Sequence, residues 1–385
     1  MNRMKVFATK FFLLVTIFVI LISAAFTTSN AANAQSPDEQ IPSPQLDLEP
    51  AELPPEEFFR GKVLSAEQPE SIGVRFQRVK VEVTTGSLKG EVLNLDHGGT
   101  LTIREDELVR EGEEIVLIAI PTFEGKTDYF IVDKYRLPPV LWIIAIFFAL
   151  AIFFGRARGL GALAGLAISV FVIVKLVLPK ILEGGSPLAS TFLGIAIILP
   201  VSIFLAHGFS KRTSVALLSG GISIALSAGL AILFVNLSKL SGLGSEETLF
   251  LQVGQYGEIN FQGLLLAGIL IGALGVLDDI TAAQSAVVDE LSKANPKFSP
   301  AELYKIGISV GREHIASLVN TLVLAYAGAS LPLLLLFSIN KNTPLWVNLN
   351  SGFISEEIIR AVVGSLALIL AVPITTWLAS RLLKK

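Results

Sequence analysis

A chain of 385 residues with 52% hydrophobic and 16% charged residues and a mean hydropathy of +0.66 is too apolar for a soluble domain and reads as an integral membrane protein. Its formal net charge of -3 supplies no bulk field that would argue for a nucleic-acid partner. Cysteine is absent, which excludes disulfides, thiolate chemistry, cysteine metal sites and a cysteine lipid anchor.

Arg3, Lys5 and Lys10 precede a short apolar run from Phe11 to Ala25, and Ala32-Asn33-Ala34 places small residues at signal-peptidase spacing. Residues 1–34 therefore read as a secretory signal, with an uncleaved first helix as the alternative. Either reading puts the next stretch of chain outside the cytoplasm. Residues 35–57 are rich in Pro, Glu, Asp and Gln and cannot bury enough apolar surface to offset their ordering entropy, so a disordered linker is expected.

From 58 to 136 the pattern changes to alternating or β-branched runs: Val74 to Thr84, Gly86 to Leu95, Glu114 to Pro121 and Asp128 to Tyr135, separated by Gly-containing turns. These predict a small extracytoplasmic antiparallel β-domain, barrel-like or sandwich-like. His97-Gly98-Gly99 reads as a loop, and no second His or paired carboxylate at ligand spacing makes it a metal site. Capping the membrane domain is the simpler role for such a unit. Binding a ligand or an envelope protein is the other.

Residues 137–385 form a helical membrane domain. Apolar runs near Val140, Leu160, Leu188, Thr213, Phe261, Ile315 and Ala361 predict about seven mature transmembrane helices in a mainly α polytopic fold. Arg156 and Arg158, Lys211 and Arg212, Lys293 to Arg312, and Arg381, Lys384 and Lys385 fall on alternate connections. The positive-inside rule then puts the C-terminus in the cytoplasm and the β-domain outside. Lys175 lies near the outer end of its run, where it can snorkel to the headgroups. The loop from Asn236 to Asn260 is long and partly apolar and invites an interfacial or re-entrant helix. Gly161 and Gly165, and Gly268 and Gly272, have the spacing that lets helices approach closely.

The polar residues of interest sit at or inside helix ends. Asp278 and Asp279 follow an apolar segment just short of spanning, so they belong near the cytoplasmic boundary. If that helix continues, Asp279, Ala282, Ala283, Ala286 and Glu290 share one face. The pair is either a solvated boundary or, with Thr281 and Gln284, a cation or proton site, since adjacent carboxylates push one pKa upward. Ser299-Pro300-Ala301-Glu302 predicts a capped helix start. Beyond it Arg312, Glu313, His314, Ser317, Asn320 and Thr321 make the densest polar cluster in an apolar context. Asn320 and Thr321 should lie in the hydrocarbon, and Asn320 must bond another helix or line a wet path. Arg312 is placed to pair with Asp278 or Asp279 across the hairpin. No nucleotide-binding loop, nucleophile elbow, zinc-binding His pair or calcium loop occurs, so no enzyme, cofactor or metal is implied.

Gly272-Ala273-Leu274-Gly275, Asp279, Glu290-Leu291, Gly311-Arg312, Asn320-Thr321-Leu322, Ala325-Tyr326 and Gly328 resemble the signature of the YibE/F family of bacterial multipass membrane proteins. Weaker similarity runs back through Lys211-Arg212-Thr213 and Leu240-Ser241-Gly242-Leu243. The resemblance implies a bacterial envelope protein of the plasma (inner) membrane, and transport is the usual supposition for that family. This chain departs from the pattern at Asp278, at Glu313 where Asp is common, and at His314 where an apolar residue is usual, so no fixed ion stoichiometry transfers.

The leading expectation is a permease or transporter for a small solute or ion. Asp279 is its cation or proton site, Arg312 the charge partner and Asn320 a bridging or path-lining group, with Asp278, Glu313, His314 and Thr321 as second choices. The alternative is a non-transporting envelope scaffold or sensor whose β-domain binds a protein partner. The lipid bilayer is a partner in either case.

Overall fold

The computed structural model describes residues 57–68, 76–98, 103–121, 126–254, 256–339 and 343–384. The expected signal segment and nearly all of the expected linker lie outside the described residues. Two compact units divide the chain between Ala149 and Leu150.

The first unit carries a five-stranded antiparallel sheet of order β3-β2-β1-β4-β5. Its strands are β1 (Glu57–Glu67), β2 (Gln77–Val83), β3 (Val92–His97), β4 (Glu114–Pro121) and β5 (Thr127–Lys134). Edge strands β3 and β5 approach one another, so the sheet curls toward a barrel. Strict alternation puts Gln77, Val79, Val81 and Val83 inside on β2, facing Phe59 and Val63 of β1 and Ile115, Leu117 and Ala119 of β4. The central strand β1 is absent from the runs read off the sequence. Its inward position 61 is a glycine, which interrupts the apolar alternation, and the packing explains why. A Cβ there would lie 2.4 Å from Val81 Cγ1 and 3.0 Å from Leu117 Cδ1. His97 ends β3 and its Nε2 donates to the Glu107 carbonyl at 3.2 Å, a structural role.

Helix α1 (Leu137–Val172) continues through a π turn (Ile173–Val177) into α2 (Leu178–Leu182). After these come α3 (Pro187–His207), α4 (Lys211–Leu237) and the short α5 (Glu246–Val253), which occupies the loop where an interfacial helix was expected. Long α6 (Phe261–Ala294) and α7 (Pro300–Ala329) come next, then α8 (Leu331–Ile339), α9 (Leu345–Leu349) and α10 (Gly352–Leu382). The predicted start of α7 is present: Ser299 Oγ accepts from Glu302 N at 3.3 Å and Glu302 Oε2 accepts from Ser299 N at 2.7 Å.

By length and composition 5 helices can cross a membrane, or 6 if the bent pair α7 and α8, which meet at 63°, forms one span. The sequence reading of about seven differs because it divides the stretch from Leu137 to Leu182 into two spans. That stretch holds 46 residues, and a straight helix of that length would reach roughly 69 Å, over twice the ~30 Å hydrocarbon core. Its backbone leaves the helical region at Arg156, with φ 51° and ψ -133°. There it turns tightly enough that a Cβ on Gly159 would sit 2.1 Å from the Ala151 carbonyl oxygen. In an unbroken helix these residues are about 12 Å apart along the axis.

α6 is the centre of the helical unit. α4 packs antiparallel to it and α10 parallel, through Leu217, Ile224, Leu270, Leu274, Leu277, Ile280, Ala367 and Ala371. The expected close approach at Gly161 and Gly165 is realised against α3. A Cβ on Gly161 would lie 2.0 Å from Leu205 O, and one on Gly165 would lie 3.2 Å from Ser202 Cα. The second glycine pair serves another end. Gly268 faces Arg360 Nη1 and Gly272 the Tyr326 hydroxyl, so side chains and not a helix backbone fill the space.

Candidate functional site

α6 runs on unbroken past Asp278 and Asp279, so the periodicity of its last four turns decides which side chains share a side. Asp279, Ala282, Ala283 and Ala286 line one cavity of about 210 Å3. The opposite walls are Arg158, His207 at the end of α3, and Arg212, Thr213 and Ala216 in the first turns of α4. Alanine on three of the four α6 positions keeps the volume open, and the polar groups converge from the helix ends. Asp279 is exposed to this space, and among the described residues it forms no ion pair within 4.0 Å, although Arg158 and Arg212 line the same walls. Glu290 continues the same α6 face but lies outside the lining, where it pairs with Lys293 at 2.8 Å.

Asp278 points elsewhere. Its Oδ2 accepts from Ser202 Oγ at 2.7 Å, tying α6 to α3, while Oδ1 is buried and has no hydrogen-bond partner among the described residues. Thr281 and Gln284, expected as further ligands, are fully buried and outside the cavity lining. Thr281 Oγ1 donates to Leu277 O at 2.8 Å. Gln284 Nε2 donates to Gly307 O and to Thr376 Oγ1, each at 2.8 Å, so it clamps α6, α7 and α10.

The second polar cluster does not join the first. Arg312, Glu313, Asn320 and Thr321 are exposed on α7, and His314 is half-buried with a buried, unpartnered Nδ1. Arg312 pairs with neither Asp278 nor Asp279: among the described residues it has no ion pair. The reason is rotational. α7 turns Leu303, Gly307 and Gly311 toward α6 and α10, and Arg312, about 100° further round the helix, is carried off that side. Thr321 Oγ1 satisfies itself on Ser317 O at 3.0 Å.

A further polar group lies near the first turns of α10. Glu356, 4% exposed, accepts from Gly244 N at 3.0 Å through Oε1, and Arg360 Nε lies 3.4 Å from Glu357 Oε1. Sequence reasoning missed this group, and it used Arg158 and Arg212 only to orient the helices. The available signal for the cavity was their position at helix ends on the same predicted side as Asp279. Among the described residues no three His, Cys, Asp or Glu side chains cluster to hold a metal ion.

Apolar helices long enough to cross a bilayer, packed around α6, define a multipass membrane protein in contact with lipid. The family model described as YibE/F-like protein matches residues 143–385. The chain belongs to that family. The match spans the membrane helices and begins after the β-sheet. No curated protein and no solved structure matches the chain.

Proposed function

We propose that the membrane domain moves a small solute or ion across the plasma membrane of a bacterial envelope, with the cavity beside Asp279 as its cytoplasmic-side vestibule. The observation that carries this is a carboxylate facing an open volume of about 210 Å3 with two guanidinium-bearing walls and no ion pair among the described residues. A carboxylate held this way is free to meet a solute that enters the volume, because no salt bridge must first be broken. Arg158 and Arg212 replace Arg312 as the charges that set its electrostatics. Asp278, held by Ser202, positions the turn that carries Asp279. Arg158, Lys211, Arg212 and the C-terminal Arg381 and Lys384 support a cytoplasmic location for this end and an extracytoplasmic one for the sheet. The reading is a transport one, with no chemical conversion of the solute.

The test is flux in liposomes holding purified protein, screened over protons, alkali cations and small organic ions, with Asp279→Asn beside the wild type. The expected result is flux in the wild type and its loss in the variant, with insertion unchanged. Flux that persists in Asp279→Asn removes Asp279 from the mechanism. No flux from folded wild type across the panel moves the reading to an envelope scaffold or sensor, in which the sheet binds a protein partner.

A further inference from the structure

One face of α7 is exposed among the described residues. Leu303, Gly307 and Gly311 are its buried positions, whereas Arg312, Glu313, Ala316, Ser317, Asn320 and Leu324 are exposed. This face lies alongside the part of α6 that is buried in the bundle. Gly311 abuts Gln284 and Val372, and the Tyr326 hydroxyl abuts Gly272. Asn320 falls between these two levels, next to α6 residues 272–284, in the bent α7–α8 pair that together qualifies as a candidate span. Its carboxamide makes no hydrogen bond among the described residues, and neither Arg312 nor Glu313 has an ion pair there.

Lipid cannot satisfy the Asn320 carboxamide, since the hydrocarbon offers neither donors nor acceptors, while Arg312 and Glu313 lie about two turns nearer the cytoplasmic end. The first arm of α1 cannot either: from Ile143 to Phe154 it carries no hydrogen-bonding side chain. The missing surface must therefore be polar where α7 is polar. A second α7 meets that need. In a two-fold dimer whose axis lies along the bilayer normal, parallel helices bring like positions together. Asn is both donor and acceptor and so complements itself. Adjacent Arg312 and Glu313 give each copy a cation and an anion to offer the other, and Ala316 and Ser317 are small enough for close approach.

We propose that this face of α7 is the interface between two copies of the chain, with the two Asn320 carboxamides bonded to each other and Arg312 of each copy paired with Glu313 of the other. The proposal needs only the multipass character of the chain and stands whether or not it transports.

The chain has no cysteine, so a single introduced thiol reports without background. Full-length Ser317→Cys, Leu324→Cys and, on the apolar exposed surface of α4, Leu233→Cys are oxidised in native membranes and run without reductant. The expected result is a band at roughly twice 41.2 kDa for Ser317→Cys and Leu324→Cys and little for Leu233→Cys. Adding Arg312→Glu to Ser317→Cys should reduce the dimer severalfold, and adding Arg312→Glu with Glu313→Arg should restore it. The charge-exchange rescue separates lost pairing from lost folding. The idea is overturned if Ser317→Cys, shown reactive to a membrane-permeant maleimide, stays monomeric. It is equally overturned by a cross-link of another mass, which would mark a different protein on this face, or by equal dimer from Leu233→Cys.

Discussion

Gln284 on α6 donates from Nε2 to the carbonyl oxygen of Gly307 on α7 at 2.8 Å, and the same amide nitrogen reaches Thr376 Oγ1 on α10. The clamp is possible because α7 presents glycine to it. A Cβ on Gly311 would lie 3.2 Å from both polar atoms of Gln284 and 2.4 Å from Val372 Cγ1. Gln284→Leu should lower stability by about 1 kcal/mol, the scale of a hydrogen bond between membrane helices. Gly311→Leu should cost more, because overpacking forces the helices apart. Unfolding in mixed micelles by titrated SDS measures both. Equal midpoints for Gln284→Leu and wild type would show that the amide holds nothing together.

The bond between Ser202 and Asp278 predicts a coupling across 76 residues of sequence. Removing the hydroxyl leaves the carboxyl group, whose Oδ1 already lacks a partner among the described residues, without its side-chain donor from α3. Ser202→Ala should therefore cost about 1–3 kcal/mol. In an Asp278→Leu background the same change should cost much less, and the difference between the two is the interaction energy. Additive effects in that cycle would mean the two side chains do not couple in the bilayer.

The features legible in the sequence are the local ones. The β2 alternation, the capped start of α7 and the shared face of Asp279, Ala282, Ala283 and Ala286 are consequences of strand and helix period. β1 escaped because Gly61 occupies an inward position for a reason set by Val81 and Leu117, residues on two other strands. The cavity escaped for the same kind of reason. Arg158, His207 and Arg212 meet Asp279 only after α3, α4 and the turn at Arg156 have packed. The expected pairing of Arg312 with an aspartate failed on rotation: spacing placed Arg312 near the right level, but the glycines at 307 and 311 chose which side of α7 turns inward.

At the end of the sheet unit, Arg136 donates to Asp133, and this contact, with the Lys134 amide, holds the Asp133 carboxyl below the usual carboxylate range. A lowered folded pKa contributes stability above the unfolded value of 3.8, and that contribution is lost as pH falls through the folded value. The pair is exposed, so solvent screening keeps the effect small. Melting temperatures of wild type and Asp133→Asn should differ slightly at pH 6, and the gap should close as the pH is lowered past 4. A gap that widened on acidification would contradict the sign.

Gln77 makes the strongest prediction for the sheet. It is 4% exposed, and it spans a reciprocal pair of bonds: Nε2 donates to Val109 O at 3.0 Å and Oε1 accepts from Val109 N at 2.8 Å. Val109 is itself 2% exposed, so the side chain stands in for a strand partner that the backbone at Val109 would otherwise lack. Gln77→Leu keeps much of the volume but strands both peptide groups of Val109 without water. At about 1–3 kcal/mol for each buried group left unsatisfied, the loss should be roughly 2–6 kcal/mol. Val79→Ala, which removes apolar volume from the next inward position, offers a comparison at about 1–3 kcal/mol. Limited proteolysis of the full-length protein in micelles reads both, because cleavage between β1 and β5 requires the sheet to open. Protection of Gln77→Leu equal to wild type would mean that the amide is a passenger and that Val109 is held by its neighbours.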